Sequence, residues 1–143
     1  MKEGCGKDFI YGETVIINEN GNTRNWHKKT PAIESISANS FKNGMVICHQ
    51  SMILKKAIAK TFDTQWNVSG DIDWAIRSLK DAHSFYFYDQ PVCWYLDGGV
   101  SEDYRWQSVK ERFKLSVKHF GFIPTIIEQF KIGLQLIKRG RIS

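Results

Sequence analysis

At 143 residues the chain is one domain's worth, and 42% hydrophobic residues suffice for a real core. Charged residues at 24% and a mean hydropathy of −0.37 describe an ordinary soluble protein, and no run of 18 apolar residues marks a transmembrane helix. A net charge of +5 and a pI near 9.1 raise nucleic acid as a partner, but no recognition motif, basic helix stripe or Gly-flanked aromatic strand accompanies them, so none is expected.

Met1-Lys2-Glu3-Gly4-Cys5-Gly6 lacks the apolar core of a signal peptide. Cys5, Cys48 and Cys93 form no CxxC pair and read as free thiols of a reducing compartment, which makes the expected location cytoplasmic. The positive charge is unevenly placed, with Lys28-Lys29, Lys55-Lys56 and a C-terminal group of Lys131, Lys138, Arg139 and Arg141.

Asp8 to Asn18 is rich in Ile, Val, Tyr and Phe and predicts a strand. Asn20-Gly21 turns it back through Thr23–His27 as a hairpin. Thr30-Pro31, with Ile33 and Ile36, predicts a short helix capped by Thr30 and ended by Asn43-Gly44. Met45 to Leu54 is nearly all apolar and fits a buried strand, or a strand leading into a helix over 53–62. Ile72, Ala75, Ile76, Leu79 and Ala82 carry the helical period, with Ser69 as cap and Asp71 and Asp73 in the first turn. Phe85–Tyr88 and Val92–Leu96 read as two strands joined through Asp89-Gln90-Pro91. A long helix capped by Ser101, with Glu102 and Asp103 in its first turn, runs to His119-Phe120, where Gly121 and Pro124 end it. A last helix over 125–139 puts Ile126, Ile127, Phe130, Leu134 and Ile137 on one face. Strands interspersed with helices indicate an α/β architecture.

Several pieces stand in a telling order: Val46-Ile47-Cys48-His49-Gln50, Phe62-Asp63, Ser69-Gly70-Asp71-Ile72-Asp73, Phe85–Asp89, Leu96-Asp97-Gly98-Gly99 and Arg105-Trp106. Over roughly residues 8 to 122 the set resembles the C-terminal half of family 2 glycosyltransferases, inverting enzymes of the GT-A fold. The resemblance implies the C-terminal portion of a GT-A-like, Rossmann-like domain over 1–122, a mixed sheet with flanking helices, followed by an amphipathic basic helix over 123–143. It implies transfer of a sugar from a nucleotide-sugar to a saccharide or lipid-linked acceptor, as in polysaccharide or cell-surface glycan synthesis. The family writes its catalytic acid most often as Glu-Asp; here the Glu is absent and Asp71 matches the base. The nucleotide-binding half with its metal-binding DxD is not in this stretch, so a divalent metal, Mg or Mn, would be held mainly outside it. This chain alone should then transfer no sugar. The rival expectation is a non-catalytic remnant, or a module that binds carbohydrate or a partner chain.

The candidate site residues each carry a plainer reading. Asp71 and Asp73 could both be helix-start acids; on a helix they lie about 200° apart, so one base suits them better than a metal pair. Asp73 is the second candidate for that catalytic role. His49 and Gln50 interrupt an apolar run, either as buried hydrogen-bonded groups or as acceptor contacts. Trp74, opposite Ile72 and Ile76, is either packing mass or a sugar-stacking ring. The C-terminal helix either docks on its own domain with a solvated basic end, or lies on an anionic membrane surface, peripheral at its inner face. Half a sheet should also leave an open edge and an apolar face prone to self-association.

Overall fold

The computed structural model describes residues 4–26, 30–97 and 104–140, with side chains in the last helix as far as Leu134. The Lys28-Lys29 pair, Gly98-Gly99, Ser101, Glu102, Asp103 and Arg141 lie outside the described residues. The chain is a mixed α/β structure built on a four-stranded sheet. Strand β1 (Phe9–Ile17) is its centre. Its C-terminal half pairs antiparallel with β2 (Thr23–Asn25), Val15 opposite Asn25 and Ile17 opposite Thr23. The expected hairpin is therefore present. Its turn is closed by Asn18, whose Oδ1 accepts the N–H groups of Asn20 (3.1 Å) and Asn22 (2.8 Å), while Gly21 takes a φ of +78° that suits glycine.

The first half of β1 pairs antiparallel with β3 (Met52–Leu54), Phe9 opposite Leu54. On its other edge β1 runs parallel to β4 (Phe85–Leu96) along its whole length. Here two strands were expected, and one continuous strand is found. Asp89-Gln90-Pro91 does not turn the chain; it is taken up by register shifts opposite Gly12–Thr14, which accommodate a proline that cannot donate to a ladder. Side chains alternate as a pleat requires. Phe9, Tyr11, Phe85 and Phe87 face the core, whereas Ile10, Ile53, Tyr86 and Val92 line a shallow cavity of about 250 Å³ on the opposite face.

Helices cover the core face. Helix α1 (Gly70–Leu79) buries Ile72, Ala75, Ile76 and Leu79, the residues of its apolar period. Helix α2 (Arg105–Phe120) contributes Leu115, 1% exposed, to the same core. Gly121, at φ +90°, then turns the chain into helix α3 (Phe122–Gly140). Pro124 falls in the first turn of α3, where the missing N–H is harmless, so it opens this helix and does not mark the end of α2.

Two other local expectations are corrected. No helix starts at Thr30; its hydroxyl donates to Glu13 (2.9 Å), and the helical turn there is a 3₁₀ segment over Ala38–Phe41 with Ser37 and Ser40 forming a capping box. No helix forms over 53–62 either. Ile53 and Leu54 are held in the sheet by β1, and the Lys55 N–H donates to the Asp8 carbonyl (2.9 Å), so only one turn follows. Sheet pairing overrides the local helical preference.

The parallel pairing makes a specific prediction. A methyl group at Gly12 would collide with Val92 Cγ2 and come within 2.8 Å of the Tyr88 carbonyl oxygen. Gly12→Ala should destabilise the protein by about 1–3 kcal/mol, as overpacking does. Urea unfolding checks this; Gly6→Ala, whose added methyl meets nothing within 4 Å, gives the backbone-only comparison.

Candidate functional site

The acidic turn at the start of α1 is built from below by α2. Ser69 was expected to cap α1, but its side chain makes no cap hydrogen bond and is buried. The loop that leads into α1 is held instead from 42 residues further along. The Glu111 carboxylate accepts three backbone N–H groups, from Asn67 (3.2 Å), Val68 (2.9 Å) and Ser69 (2.9 Å), and a fourth hydrogen bond from Gln107 Nε2 (3.0 Å). Burial pushes the Glu111 carboxyl up, but Gln107 and the three amides outweigh it and hold the pKa below the usual glutamate value.

With the loop fixed, the two aspartates have opposite surroundings. Asp73 has a side chain 0% exposed. It is bound by Arg77 Nε (2.6 Å), His119 Nε2 (2.7 Å) and Lys118 Nζ (3.3 Å). Burial raises its pKa, and hydrogen bonds from His119 and Arg77, with Arg77's charge and Lys118, bring it below the ordinary aspartate value. Because Asp73 accepts only, His119 presents Nε2–H to it and turns Nδ1 towards Lys80 Nζ at 3.4 Å. Burial, joined by the charges of Lys80 and Lys118, lowers the His119 pKa against the pull of Asp73, so the ring is neutral.

Asp71 faces outward. Its Oδ1 accepts the Ile72 N–H (2.8 Å), and Oδ2 lies 3.5 Å from His49 Nδ1. The side chains of His49 and Asp71 are 42% and 30% exposed. Burial raises the Asp71 pKa, outweighing the opposite influence of His49, the Ile72 amide and Arg112. Arg112 is placed by Gly44: the guanidinium packs on that glycine's backbone, which has a φ of +104°, and Nη2 donates to the Asn43 carbonyl (3.0 Å). The structure thus brings together Asp71 and His49, with Arg112 contributing charge.

The remaining candidates lie in other settings. Gln50 is exposed beside two thiols, its Oε1 3.5 Å from Cys93 Sγ and 3.9 Å from Cys48 Sγ. Trp74 donates Nε1–H to the Lys60 carbonyl (2.7 Å), and one ring face stacks on Phe62 at 5.5 Å and 2°. That leaves Phe62, 57% exposed, as the outer ring of the pair. The sequence reading missed Glu111, Arg112 and His119. A signal for two of them exists: Glu111, Leu115 and His119 recur every four residues, so two polar groups share the buried stripe of α2.

A divalent metal does not fit these residues. Asp73 is occupied by three donors and turned inward, so Asp71 and Asp73 cannot chelate together. Among the described residues no group of three His, Cys, Asp or Glu side chains could hold a metal ion. No family model matches this sequence, and no curated protein or solved structure is significantly similar to it.

Two outcomes follow from this electrostatic frame. Asp73→Asn should cost about 3 kcal/mol, the low end for breaking a buried ion pair, because Arg77 and Lys118 are partly exposed and can turn to water. Denaturant unfolding measures it. On acidification, His119, Glu111 and Asp73 all act in one direction. Each has a folded pKa below its unfolded value, so each contributes stability at neutral pH that is lost as pH falls. His119 acts first, below its ordinary 6.5, and the two carboxylates follow below 4.5 and 3.8. Melting temperature should therefore fall between pH 7 and 5, and His119→Gln should flatten that slope.

Proposed function

We propose that this chain is the acceptor-side half of an inverting glycosyltransferase in which Asp71 is the general base. The observation that carries the proposal is the contrast between the two aspartates. Asp71 is accessible, beside His49, and made more basic by burial, while Asp73 is sealed among cations. A base needs an open oxygen and a pKa raised towards the working pH. The resemblance of the ordered motifs to family 2 glycosyltransferases supplies the reaction.

In that reaction the acceptor hydroxyl oxygen forms a bond to the anomeric carbon. The bond from that carbon to the diphosphate oxygen breaks, and the electron pair leaves with the nucleoside diphosphate. The acceptor proton passes to Asp71 Oδ2, since Oδ1 is engaged by the Ile72 amide. His49, 3.5 Å away, orients the carboxylate and offers a hydrogen-bond partner to the acceptor. Gln50 and the Phe62–Trp74 pair extend the polar and aromatic surface available to a saccharide. The nucleotide and any metal are assigned to the half that the resemblance places outside this stretch.

The second reading, a non-catalytic carbohydrate-binding module, draws on that stacked aromatic pair with its exposed Phe62. Asp71→Asn separates the two. In the chain joined to its donor-binding half, turnover should fall about 10²–10⁴-fold with donor affinity nearly unchanged. Saccharide binding that survives the substitution, with no transfer by either form, would establish the binding module. An equal, small effect of Asp71→Asn and His49→Gln on turnover removes the base from the mechanism.

A further inference from the structure

Helix α3 is amphipathic, and it is mounted with its apolar stripe outward. The side turned to the rest of the molecule is polar: Thr125 is 1% exposed and donates to the Gly121 carbonyl (2.7 Å), and Glu128 pairs with Lys42 (3.6 Å). Ile132, one turn on from Glu128, closes the cleft shared with α2. On the far side Ile123 and Phe130 are each 72% exposed, and Phe122, Ile127 and Leu134 lie bare along the same helix. A helix docked for its own stability would bury that stripe.

Charge decides what covers it. From residue 104 onward the sequence has nine Lys and Arg against two Glu, whereas the preceding 103 residues have eleven against thirteen Asp and Glu. The excess positive charge of the whole chain therefore resides in α2, α3 and the residues after them. Lys110 and Lys114 open onto the cleft between α2 and α3 and have no carboxylate partner among the described residues. A second copy of so basic a surface would be repelled, whereas an anionic lipid surface would be attracted. α3 is not a spanning segment: among the described residues no helix is long and apolar enough to cross a membrane.

We propose that the α2–α3 hairpin binds anionic membranes, with the outer stripe of α3 in the headgroup–acyl boundary and the lysines against lipid phosphates. The inference stands independently of sugar transfer. The test is sedimentation of the purified chain with vesicles of phosphatidylcholine alone, or of phosphatidylcholine with about one third phosphatidylglycerol. Binding is expected to the anionic vesicles, at least about tenfold weaker to the neutral ones, and weakened by salt. Ile123→Glu with Phe130→Glu should reduce binding at least about tenfold without changing the melting temperature, since both side chains are exposed. Lys110→Glu with Lys114→Glu should also reduce it about tenfold and shrink the salt dependence. Absence of binding to anionic vesicles overturns the proposal, as does binding untouched by either pair of substitutions. A wild-type dimer that the α3 pair converts to monomer, with no vesicle binding, would make the stripe a self-interface and equally overturn it.

Discussion

The structure depends on the burial of one ionised carboxylate. Removing Asp73 from water is costly, and the cost is offset only if cations and hydrogen-bond donors meet it inside the protein. Arg77 comes from its own helix, but Lys118 and His119 come from α2. The pair of helices is therefore fixed by a charge that neither can leave unsatisfied. Leu115 enters the core from the same stripe of α2 and adds apolar contact to that polar lock.

Once α2 is held there, Glu111 lies beneath the Asn67–Ser69 loop and collects its backbone amides. Three backbone amides of the loop leading into α1 are satisfied by one side chain. The consequence reaches Asp71. The loop cannot collapse inward, so the first-turn acid projects towards His49 and stays open to solvent. The inward aspartate thus holds the position of the outward one, which is the arrangement a general base requires: a rigid mount and an accessible oxygen.

The sheet imposes a second constraint. β1 is paired on both edges, and its pairing with β4 forces a close approach at Gly12. Core and open faces then alternate along β4, which gives one side to α1 and leaves Ile10, Ile53, Tyr86 and Val92 around a shallow cavity. Among the described residues β4 has β1 as its strand neighbour. α3 presents a further apolar surface of different character: it belongs to the basic part of the chain, whereas the sheet face is lined by aliphatic and tyrosine side chains.

The sequence by itself determined what depends on neighbours a few positions away. The Asn-Gly hairpin, the period of Ile72, Ala75, Ile76 and Leu79 in α1, and the amphipathic pattern of α3 all follow from local geometry. The tertiary structure decided what depends on distant partners. Ser69 looks like a cap, yet its side chain is buried without a cap bond and Glu111, 42 residues away, binds its backbone N–H instead. Ile53 and Leu54 carry a helical pattern, but β1 recruits them as strand. Asp71 and Asp73 are both first-turn acids on different faces of α1, and the packing of α2 makes one a buried anchor while the other stays partly open beside His49. The apolar stripe of α3 is plain in the sequence, yet its outward orientation was set by the Gly121 turn and by the burial of Thr125 and Glu128's pairing with Lys42. Periodicity records which residues share a face; it holds no information about which way that face is turned.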